Sequence, residues 1–113
     1  MKRNSGKLVL LAAAMGIASY ANVSAAEQVD YTLEMKNGTF SPAVLEVPAN
    51  EKIHLTVKNS EAVQTEFESY KLNQEQKIES GKTADMFIGP LEPGEYPVFD
   101  DNNPDAKGSV IAK

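Results

Sequence analysis

Two glutamates, Glu66 and Glu68, stand two residues apart in the stretch TEFES. On a strand, both carboxylates would project from one face, and Phe67 between them from the other. More carboxylates follow in FDDNNPDAKG, residues 99–108, where Asp100, Asp101 and Asp105 surround an Asn-Pro pair. Carboxylate oxygens are hard ligands, suited to Fe3+, Mn2+, Ca2+ or Mg2+ more than to Cu+. Softer donors are scarce, with no cysteine, one histidine and four methionines in the chain. His54, in KIHLTVK, alternates with Ile53, Leu55 and Val57 and reads as a lone surface histidine. Met35 and Met86 fall on apolar faces and read as core. Tyr70 and Tyr96 read as packing residues with exposed hydroxyls. The histidine finds no partners for a Ser/His/acid set, which excludes serine hydrolase chemistry. No glycine-rich loop is present to cradle a phosphate.

The elements that must position these groups follow a period of two. In VDYTLEMK, Val29, Tyr31, Leu33 and Met35 share one face. Asn37-Gly38 ends that strand with a pair tolerant of positive φ. Further extended runs are expected at 44–47, 52–58, 65–70, 84–89, 94–99 and 108–113, with turns at 48–51, 80–82 and 90–94. FDDNNPDAKG is expected to loop between the last two strands. Leu72-Asn73 and the polar run after it read as an exposed connection, with room for one short helix or turn at 73–77. About seven short strands with regular turn signals predict an all-β fold, a β-sandwich with Greek-key connections.

The first 26 residues read as a secretory signal peptide rather than part of this domain. Met1-Lys2-Arg3 and Lys7 are basic, LVLLAAAMGIA at 8–18 is apolar, and Val23-Ser24-Ala25-Ala26 supplies small residues. Cleavage is expected after Ala26, with Ala25 as the alternative, leaving a domain over 27–113 that is not inserted in the membrane. That remainder carries eight basic and sixteen acidic residues, a net charge of −8, and no arginine. Nucleic acid and anionic lipid need a positive field and are disfavoured as partners; no nucleic acid is expected. With no cysteine, the domain holds itself by its core and not by a disulfide.

Three stretches, FSPAVLEVPANEKIHLTVKN, TEFES and EYPVFDDNNPDAKGSVIAK, together make the mature chain resemble a cupredoxin. The resemblance implies that the copper ligands of such proteins would fall on Thr65, Asp100, Asn103 and Ala106, with Gly108 closing the motif. All four ligand positions are changed. Without a thiolate or its partner imidazoles, no blue-copper centre is expected. The runs TEFESYKLNQEQKI and IGPLEPGEYPVF resemble more closely the EfeO-type cupredoxin-like domains of bacterial iron uptake. Many of those carry Glu-Phe-His-Pro-Asp in the last loop, whereas this chain has Asp101-Asn102-Asn103-Pro104-Asp105, without the histidine.

The cupredoxin frame implies that the strand of Glu66 and Glu68 lies beside the last loop, giving a candidate metal site of Glu66, Glu68, Asp100, Asp101 and Asp105. The expected function is that of a periplasmic metal-binding accessory protein in iron import, acting beside an inner-membrane iron permease or another periplasmic uptake component. Iron is expected in preference to copper. A ferroxidase-type step would need a redox partner or a copper ion. The alternative is a metal-free protein-docking module on the same scaffold.

Overall fold

The computed structural model describes residues 28–113; the expected leader at 1–26 lies outside them. Among the described residues nine strands follow in order: β1 (Val29–Lys36), β2 (Thr39–Ser41), β3 (Val44–Val47), β4 (Ile53–Asn59), β5 (Thr65–Ser69), β6 (Gln74–Ile78), β7 (Thr83–Ile88), β8 (Gly94–Asp100) and β9 (Asn103–Ala112). They form a four-stranded sheet, β2-β1-β4-β7, and a five-stranded sheet, β3-β9-β8-β5-β6. β1 runs parallel to β4 and β3 parallel to β9; the other neighbours are antiparallel. This is the all-β Greek-key sandwich that the alternating pattern predicts.

The core lies between the sheets because each strand turns its apolar alternates inward. β1 contributes Leu33 and Met35, β4 contributes Ile53, Leu55 and Val57, and β7 contributes Met86 and Ile88. Phe67 of β5, Val98 of β8 and Val110 of β9 face them from the other sheet. Phe40 and Phe67 meet with ring centroids 6.2 Å apart. Met35 and Met86 are core residues, as their faces predict. Asn37 and Gly38 take positive φ at the end of β1, and Asn50 does the same in the turn before β4.

Two elements differ from expectation. The polar run after Asn73 is a strand, β6, paired antiparallel with β5 from Thr65–Ile78 to Ser69–Gln74. It sits at the edge of its sheet and buries only Ile78, so alternation leaves little trace in QEQKI. The expected long loop between the last strands is also absent. Asp100 pairs directly with Asn103, so the connection narrows to Asp101-Asn102, and β9 already includes Pro104 and Asp105.

Candidate metal centre

β5 places Glu66 and Glu68 on the outer face of the five-stranded sheet, while Thr65, Phe67 and Ser69 are buried beneath it. The β8–β9 turn comes alongside through two hydrogen bonds. The Asp101 amide donates to the Glu66 carbonyl at 2.8 Å. The Glu66 amide donates to Oδ1 of Asp100 at 2.9 Å. The same Oδ1 accepts the Asn102 amide at 3.0 Å, which closes the turn. Asp100 is thus buried as the stitch, and Asp101 is the carboxylate left to face outward.

Glu66, Glu68 and Asp101 each offer a carboxylate oxygen within 4.8 Å of the others. Ligands on opposite sides of a hard cation at about 2.3–2.6 Å stand about 4.6–5.2 Å apart, so three such groups span one coordination sphere. Glu66 is only 9% exposed, Glu68 is half-buried and Asp101 is open to solvent. The register with β6 sets Glu75 opposite Glu68 and Lys77 opposite Glu66.

The electrostatics are those of crowded like charges. A hydrogen bond to Glu75, then burial, then the negative charges of Glu75 and Asp101 push the Glu66 pKa up, with Lys77 opposing. Burial, followed by the charges of Glu75 and Asp101, pushes Glu68 up as well. A cation among these oxygens would relieve that repulsion.

Of the five expected site residues, the fold gathers Glu66, Glu68 and Asp101. Asp100 is spent on backbone hydrogen bonds. Asp105 lies exposed on β9, outside the group, because the strand begins before it. Glu75 was not among the expected residues. Its signal was the hairpin itself, which Asn73 closes with positive φ and which brings Glu75 back across β5.

The positions that the cupredoxin resemblance assigns to copper ligands are differently employed. Thr65, Asp100 and Ala106 are buried, on the side of β5 opposite Glu66 and Glu68, and Asn103 is exposed. The Thr65 hydroxyl has no hydrogen-bond partner among the described residues. These four side chains offer no thiolate and no imidazole, so they do not fit a blue-copper centre.

His54 lies on the outer face of the other sheet and is not without partners. Its Nδ1 is 3.0 Å from Asp30 Oδ1 and its Nε2 3.1 Å from Asp85 Oδ1. Hydrogen bonds from Gln28 and then from His54, helped by the charge of the ring, lower the Asp30 pKa. The nearby Thr56 hydroxyl donates to Asp85 at 2.7 Å, not to the ring.

A model of the cupredoxin-like domain family matches residues 7–112. The chain belongs to the cupredoxin-like domain family. An uncharacterised protein of Rickettsia prowazekii is 29% identical over 120 residues, covering 98% of this chain and 95% of that protein. Solved structures share the fold at low identity. The metal-binding domain of the Cu(I)-exporting P-type ATPase CopA of Streptococcus pneumoniae, solved with Cu(I), aligns with a TM-score of 0.69 at 12% identity, covering 77% of this chain and 87% of that one. Auracyanin A, a blue copper protein of Chloroflexus aurantiacus, gives 0.64 at 13% identity over 76% and 99% of the two chains. A purple cupredoxin of Nitrosopumilus maritimus gives 0.59 at 19% identity over 74% and 100%. This cupredoxin-like chain shares their frame and gathers carboxylates on its outer face.

Proposed function

We propose that this protein is a periplasmic, cupredoxin-like metal-binding accessory protein of iron import, holding a hard cation through Glu66, Glu68 and Asp101. The observation that carries the reading is the meeting of those three carboxylate oxygens within 4.8 Å, from two segments 34 positions apart at Glu66 and Asp100. The absence of cysteine supports iron over copper, since no thiolate is present to favour the softer ion. The resemblance of TEFESYKLNQEQKI and IGPLEPGEYPVF to iron-uptake domains supports the transport role, with an inner-membrane permease or another periplasmic component as partner.

The deciding experiment is calorimetric titration of the metal-free protein with Fe3+ chelate, anaerobic Fe2+, Mn2+ and Cu2+. Saturable iron binding, lost in Glu66→Gln/Glu68→Gln, is expected. Heats equal to those of the double variant for every ion would sink the metal reading. A metal-free docking module would then remain, a reading favoured by the replacement of all four inherited ligand positions.

A further inference from the structure

The outer face of the five-stranded sheet carries a second feature beside the carboxylates. A groove of about 640 Å3 runs along β3, β9 and β8, lined by Val44, Pro97, Phe99, Pro104, Lys107 and Ser109. Its apolar wall is open, with Val44 55% exposed. Tyr70, 77% exposed, continues that wall by meeting Phe99 edge-on at 5.4 Å between ring centroids. Exposed aromatic and aliphatic side chains in contiguous array mark interaction surfaces.

The register ties this wall to the acidic side. Phe99 pairs with Glu68, and Glu68 with Glu75. At about 4.8 Å per strand, the carboxylates begin one strand from Phe99 and end about 10 Å away. An extended segment crossing the strands covers that distance in about three residues. We propose that this face docks a basic protein segment, its aliphatic or aromatic side chain seated between Val44 and Phe99 and its lysines or arginines set over Glu66, Glu68 and Glu75.

Charge complementarity selects this occupant. The residues after position 26 carry a net charge of −8 with no arginine. A second copy, an acidic peptide or an anionic lipid would meet repulsion across this face, and a basic segment would be drawn to it. The inference does not rest on metal binding at Glu66, Glu68 and Asp101, and it is tested with metal chelated.

The probe is a labelled extended peptide carrying Leu-x-x-Lys-x-Lys, with serine at each x. Two controls replace the lysines by glutamate or the leucine by serine. The lysine peptide should shift the amide resonances of Val44, Phe99, Ser109 and Glu68. Its affinity should fall about tenfold in Val44→Ser, an exposed edge-strand position where this change removes apolar surface and adds no charge. It should fall by a similar factor between about 50 and 300 mM salt, and weaken in Glu68→Gln/Glu75→Gln. The glutamate and serine controls should not bind. Absence of shifts at millimolar peptide would overturn the proposal, as would equal binding of the acidic control. Indifference to Val44→Ser, or self-association carried by the same amides, would overturn it too.

Discussion

Asp100 and Asp101 are adjacent and chemically identical, yet the fold gives them opposite work. Asp100 turns inward and accepts two backbone amides, those of Glu66 and Asn102. Stranding two donors costs about 1–3 kcal/mol each where water cannot reach them. Asp100→Ala should therefore lower stability by about 2 kcal/mol or more in denaturant titration, and Asp100→Asn, which keeps an acceptor oxygen, by less. Glu66 behaves in the opposite sense. Its pKa in the folded protein stands above the ordinary value of 4.5. The stability it lends is complete below that value and lost as the pH rises through the raised pKa. Metal-free Glu66→Gln should thus melt higher than the parent protein at pH 7. Melts recorded down to pH 4.5 should show the gap closing. Asp30 and Glu34, whose pKa values are lowered, lend stability above their ordinary values and lose it as the pH falls through the folded ones. Period two makes the shared face of Glu66 and Glu68 legible in the sequence. It does not show which of two neighbouring aspartates would turn outward, because the irregular pairing between Phe99 and Asp100 sets the turn.

At the scale of elements, apolar alternation reveals the strands that fill the core and hides those at the edge. β1, β4 and β8 bury every second side chain over at least part of their length and can be read directly. β6 buries one apolar residue and keeps its polar alternates in solvent, so its role rests on pairing that only the fold supplies. Glu75 rides on β6, so its place opposite Glu68 follows from that pairing and not from the residue pattern. Gly108 shows the reverse case. It stands in β9 where a Cβ would come within 2.6 Å of the Ala43 carbonyl oxygen, the acceptor of the Ser109 amide. Gly108→Ala must push β3 away from β9, a cost of about 1–3 kcal/mol. Urea titration should register it as a lowered midpoint with an unchanged slope. Asn59 ends β4 as a buried node. Its side chain donates to the Val63 and Ile78 carbonyls and accepts the Glu61 amide, joining the loop before β5 to the end of β6.

Across the whole molecule, acidity is the dominant long-range property. A net charge of −8 on the residues after position 26 is self-repulsion that added salt screens. The metal-free protein should melt at a higher temperature in about 0.3 M sodium chloride than in about 0.01 M. A domain of this size with a net charge near zero would show no such gain. A bound cation should stabilise further by mass action, about 2.7 kcal/mol at a concentration one hundred times its dissociation constant, visible as a concentration-dependent melting point. That increment should vanish in Glu66→Gln/Glu68→Gln.

β9 lies between β3 and β8, and its register with both ends at Ala112. Without β9 in place, β3 has no neighbour in its sheet and β8 lacks one of its two. The five-stranded sheet therefore cannot close before β9 docks, and long-range strand pairing of this kind is slow.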